Sequence, residues 1–118
     1  MDRSYNMQNE DSIRLQHMLS AAKETQSFSK NESRGTIEKD RKLVLALVKS
    51  LEIIGEAASK VSNEYRDELS GIPWHNITGM RNRLIHAYFD INLDILWKTI
   101  TEDLPPLISY LENYLESH

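Results

Sequence analysis

The densest run of groups able to do acid–base and phosphate chemistry is Arg81-Asn82-Arg83-Leu84-Ile85-His86-Ala87-Tyr88. It holds an imidazole, two guanidiniums, a carboxamide and a phenol on an otherwise apolar segment. Histidine is the side chain whose ordinary pKa lets it both take and give a proton near neutrality. Arginine is always charged, and its planar fork suits two phosphate oxygens at once. Together these are the minimum kit for cleaving RNA without a metal. The 2′-hydroxyl must lose a proton, the leaving 5′-oxygen must gain one, and the charge on the phosphorane must be compensated. On an ideal helix, however, positions 81 and 86 lie about 140° apart, so they would flank a groove edge and not stack. Spacing alone does not separate a catalytic pair from a satisfied, half-buried histidine with surface or ion-paired arginines.

The remaining candidates point less clearly to chemistry. His17, His75 and His118 show no metal-ligand spacing, and no HExxH pairing occurs. With no Cys in the chain, disulfides and thiolate metal sites are excluded. No Gly-rich phosphate loop is present, so neither a metal nor a nucleotide cofactor is expected. Glu56 is expected to pair with Arg81 or Arg83 across two helices. Trp74 and Trp97 sit in apolar stripes and read as core anchors.

The elements that must carry these residues read as helices. Residues 1–10 lack a hydrophobic period and are expected to form a flexible tail, leaving 11–118 as a single domain. A stripe from Ile13 through Leu15, Met18, Leu19, Ala21 and Ala22 ends near Phe28. Residues 29–35 look like an exposed turn. Thr36 is the expected N-cap of a long helix whose stripe runs Ile37, Val44, Leu47, Val48, Leu51, Ile54, Ala58 and Val61. A second stripe at Ala46, Ile53 and Ala57 implies burial on more than one side, and Gly55 with Ala57 and Ala58 offers a patch for close approach. A short helix is expected over 63–69. Pro73 opens the next helix, which carries Trp74, Ile77, Met80, Arg81, Leu84 and Tyr88 at helical spacings. Asn92 caps the last helix, and Pro105-Pro106 should kink or split it. The sum is an all-α, four- to five-helix bundle.

Composition narrows the function classes. With 40% hydrophobic and 27% charged residues, the chain has the balance of a globular protein. Its N-terminus has no apolar signal-peptide core, and no window approaches the roughly 18 apolar residues of a membrane span. The cytoplasm is therefore the expected compartment. A net charge of −4 argues against non-specific binding to a phosphate backbone, but residues 1–50 carry 9 Lys/Arg against 7 Asp/Glu and residues 51–118 carry 5 against 11. Any phosphate site must be a local basic cluster within an acidic body.

The motif and its surroundings resemble those of the HepT-type toxins of the HEPN superfamily. Arg81 to His86 matches the R-x4-6-H pattern, and extension to Tyr88 matches the R-x4-H-x-Y form. The resemblance spans roughly residues 10–115 and includes the segments 51–58, 72–74, 79–82 and 101–105. It implies a homodimer in which motif helices of two subunits line a cleft holding two copies of Arg81 and His86. It implies that His86 is the general acid/base, that Arg81 binds the scissile phosphate, that Asn82 helps position it, and that Arg83 is an auxiliary phosphate contact. The implied substrate is RNA and not DNA. It also implies a partner, an MntA-type minimal nucleotidyltransferase antitoxin that attaches AMP to Tyr88, adding charge and bulk where RNA phosphates would sit. The alternative is a non-catalytic subunit that presents substrate to that nucleotidyltransferase.

Overall fold

The computed structural model describes the backbone of residues 3–87 and 90–117, and the side chains of residues 9–85 and 90–117. Its elements in chain order are α1 (Arg3–Ser29), α2 (Arg34–Ile37), α3 (Arg41–Ser59), α4 (Asn63–Glu68), α5 (Trp74–Thr78), α6 (Met80–Leu84), β1 (Ile85–Ala87), β2 (Asp90–Ile91), α7 (Leu93–Lys98), a π-turn (Thr99–Asp103) and α8 (Leu104–Ser117). The protein is built almost wholly of helices, as expected. Among the described residues the exception is one short antiparallel strand pair. None of the described helices is long and apolar enough to cross a membrane.

Helix α3 organises the rest. Its stripe Val44, Leu47, Val48, Leu51, Ile54 and Ala58 is buried along its length, facing Leu15, Met18 and Ala22 of α1. Within that apolar seam the Thr25 and Ser50 hydroxyls are hydrogen-bonded at 2.8 Å, tying the two helices together without leaving a polar group unpaired. Helix α8 adds Leu104, Leu107, Ile108 and Leu111 to the same core.

Boundaries follow local chemistry. Thr36 is not the start of the long helix. Ser33 caps a separate short α2, with Thr36 as the reciprocal partner of a capping box, and Asp40 caps α3 through a 3.0 Å bond from Leu43 N. Helix α1 begins at Arg3, earlier than the Ile13 start that the apolar stripe suggests. The expected short helix appears as α4, capped by Ser62. Ser62 also donates from both its backbone N (2.9 Å) and its hydroxyl (2.7 Å) to the buried Asp11 carboxylate, so α1 fixes the entry to α4. Arg66 returns the favour to α3, donating to the carbonyls of Ala58 (2.9 Å) and Val61 (3.1 Å) at its C-terminal end.

The small-residue patch does what its composition suggests. A Cβ at Gly55 would lie 3.1 Å from the Ile77 carbonyl oxygen, so the absence of a side chain lets α5 press its backbone onto α3. That contact sets the position of α5 and, through Gly79, of α6 with the motif residues. Gly55→Val should therefore lower the unfolding free energy by about 1–3 kcal/mol, the usual cost of forcing bulk into a packed contact, read from urea denaturation. Unchanged stability would show that α5 can move away freely.

Candidate active site

The motif is split between two kinds of backbone. Helix α6 carries Arg81, Asn82 and Arg83 and ends at Leu84. Ile85 is already extended (φ −120°, ψ 108°), and the Leu84 carbonyl accepts a 2.8 Å bond from Asn92 N in place of a continuing helical donor. His86 lies on β1, where Ile85 pairs with Ile91 and Ala87 with Asp90. The helix expected to run on to Tyr88 stops a full turn earlier, so the 140° separation of positions 81 and 86 does not apply. Ile85 is β-branched and suits the extended backbone that follows Leu84. The side chain of His86 and the whole of Tyr88 lie outside the described residues.

Arg81, Asn82 and Arg83 are all exposed. Being two apart on a helix, Arg81 and Arg83 leave it on opposite sides. Arg83 donates to the Asn76 carbonyl at 2.8 Å and borders a largely apolar cavity of about 300 Å³ between α5, the π-turn and α8, near Glu102 and Asp103. Arg81 borders a separate groove of about 500 Å³ against α3, where Glu52, Glu56 and Lys60 also lie. The structure thus keeps Arg81 in one groove and places Arg83 at another.

The carboxylate facing Arg81 is Glu52, at 3.5 Å, and not Glu56, which pairs with Lys60 at 3.4 Å. Glu56 points along α3 to its i+4 neighbour, while Glu52, one turn earlier, faces α6. With the Arg81 side chain 65% exposed and the distance long, this pair is weak and screened, so a phosphate can take the guanidinium from it. Glu52 orients Arg81 without using up its charge. Sequence spacing gave no sign of this partner, because it depends on how α3 and α6 cross.

Trp74 and Trp97 are packed against the core, as their stripes suggest. The Trp74 indole donates to the Leu69 carbonyl at 3.0 Å, and the Arg66 guanidinium lies over its ring at 5.7 Å. Burial, then the hydrogen bond with Tyr114, pushes the Tyr65 phenol well above its ordinary pKa, which keeps it neutral in the packed pair. Neither feature borders the Arg81 groove. Among the described residues no three His, Cys, Asp or Glu side chains converge on a possible metal position.

Fold and site together define a small helical domain that presents an exposed guanidinium at the mouth of a charged groove, immediately before a histidine-bearing strand. Comparison with known proteins places it more closely: the chain belongs to the Ribonuclease HepT-like family, which matches residues 18–114. It is 39% identical over 102 residues to a protein named "Putative RNase" in Caldanaerobacter subterraneus, covering 86% of this chain and 91% of that one. A second "Putative RNase", from Methanocaldococcus jannaschii, is 34% identical over 98 residues, covering 83% of this chain and 90% of that one. A "Probable ribonuclease HepT" from Thermococcus cleftensis is 44% identical over 68 residues, covering 58% of this chain and 62% of that one. No solved structure matches the chain significantly.

If Glu52 only orients Arg81, Glu52→Gln should change the unfolding free energy by less than about 1 kcal/mol, the usual range for an exposed ion pair. A thermal melt shifted by many degrees would instead make the pair part of the scaffold.

Proposed function

We propose that this protein is a metal-independent endoribonuclease acting in the cytoplasm as the toxin of a toxin–antitoxin pair. The observation that carries the reading is an exposed, weakly held Arg81 three positions before the end of α6, with His86 following on β1, in a chain of the HepT-like ribonuclease family. Two subunits associate so that both copies of Arg81 and His86 line one cleft. One His86 takes the proton of the RNA 2′-hydroxyl as that oxygen attacks phosphorus. The His86 of the second copy gives a proton to the departing 5′-oxygen, leaving a 2′,3′-cyclic phosphate and a free 5′-hydroxyl. Arg81 compensates the charge that builds on the phosphorane, and Asn82 holds the phosphate in line. Arg83 is an auxiliary contact to a neighbouring phosphate.

A dimer accounts for an arrangement that one subunit leaves incomplete. General acid and base must act on opposite sides of phosphorus, and one chain supplies a single His in the motif. In the same reading an MntA-type nucleotidyltransferase neutralises the toxin by transferring AMP from ATP to the Tyr88 oxygen, with release of pyrophosphate. The added phosphodiester carries negative charge to a site built for RNA phosphate.

Expression of the wild-type chain should arrest growth and cleave cellular RNA in the presence of chelator, whereas His86→Ala and Arg81→Ala should each lose cleavage by 100-fold or more, on the order expected for removing a general acid/base or a charge-stabilising group. Toxicity surviving both substitutions, or abolished by chelator, contradicts this chemistry. Co-expression with the nucleotidyltransferase should add the mass of AMP to the wild type and not to Tyr88→Phe. Full neutralisation with Tyr88 unmodified would mean that the partner works by sequestration.

A further inference from the structure

The groove beside Arg81 extends further than one scissile phosphate requires. Its α3 wall reaches from Lys49 to Lys60, about 16 Å at 1.5 Å per residue. Across from it, α1 contributes Arg14 and His17, one turn apart. The groove therefore collects four permanent cations against two carboxylates, and each carboxylate already faces a cation, Glu52 with Arg81 and Glu56 with Lys60. Arg14 and Lys49 have no ion-pair partner among the described residues. In a chain of net charge −4, this is a local positive field that takes in Arg81.

We propose that the α1–α3 groove is a track for single-stranded RNA flanking the scissile position, with Arg14 and Lys49 contacting backbone phosphates. The proposal rests on the ribonuclease reading above and assigns residues outside the motif. An RNA strand fits the groove better than an acidic polypeptide because the groove is continuous with Arg81 and its charges are spread over a length that takes several consecutive phosphates. His17, exposed on the α1 side of the groove, offers an imidazole face on which an unstacked base can rest. Contacts of this kind position the strand and carry no base specificity.

The test uses the full chain with His86→Ala, titrated by fluorescence anisotropy against a labelled 20-nucleotide single-stranded RNA of mixed sequence over a salt series. Adding Arg14→Gln and Lys49→Gln should weaken binding by about tenfold or more and lower the slope of log affinity against log salt by about 1.4, near 0.7 per lost phosphate contact. Lys39→Gln with Lys98→Gln, which removes the same charge away from the groove, should change neither to that extent. Circular dichroism melts of all variants separate loss of binding from loss of fold. The inference is overturned by an unchanged slope, by equal weakening in the control pair, or by no RNA binding in the parent. Groove-dependent binding of polyglutamate with the same salt slope would reassign the track to a protein partner. Cleavage of total cellular RNA by the His86-intact chain is scored in parallel. Cleavage without a groove effect removes only this inference, whereas absence of cleavage removes the ribonuclease reading beneath it.

Discussion

Helix α3 carries apolar residues around too much of its circumference to be covered by a single neighbour. Burying them is worth on the order of 1.5–3 kcal/mol per large side chain, which outweighs the preference of any individual loop for another path. The helix must be packed from two directions, and the chain meets that demand with α1 on one side and the α5–α6 segment on the other. The second side is brought close because Gly55 carries no Cβ where the Ile77 backbone crosses. Every later placement follows from this. Helix α6 begins one residue after Gly79, so the motif arginines inherit their position from a backbone-to-backbone contact and not from contacts of their own.

The electrostatic character of the groove arises from the same packing. The N-terminal half of the chain has a slight basic surplus and the C-terminal half a strong acidic one. Laying α1 beside α3 joins Arg14 to Lys49 and to Arg81, the last more than sixty positions away in sequence, while Glu102 and Asp103 gather at the other cavity, beside Arg83. One small domain thus presents one groove with excess positive charge and another bordered by mixed charge, although the average over its surface is acidic.

The parts of the fold that were legible in the sequence are those governed by period and capping. The α3 stripe, the short helix expected over 63–69, the Asn92 cap with its 3.0 Å bond from Ile95 N, and the Gly55 patch all follow from local rules. What local rules missed depends on crossings between elements. Asp11 sits at the edge of a polar stretch, and its burial is explained only by the Ser62 groups it receives from 51 residues away. Glu52 and Glu56 are equivalent by spacing, and the angle at which α6 meets α3 decides which one faces Arg81. The helix-to-strand change after Leu84 was masked because Leu84 and Tyr88 keep a helical interval whether or not the backbone does. Arg14 and Lys49 form no motif at all, since the groove they share exists only once two helices lie side by side.

The π-turn between α7 and α8 has a bearing on the bundle's outer layer. Leu96, Ile100 and Leu104 are each four residues apart and all buried. On an unbroken α-helix each interval of four overshoots a 3.6-residue turn by roughly 40°, so the third of these residues, Leu104, would swing off the buried seam. The wider winding over Thr99–Asp103, closed by Leu104 N–H on the Thr99 carbonyl, takes up that overshoot. It does so just ahead of Pro105 and Pro106, whose missing N–H groups would break a regular ladder there in any case. The loosened winding acts as a phase corrector, letting one chain segment with an imperfect repeat keep a single buried face from Leu96 to Leu111.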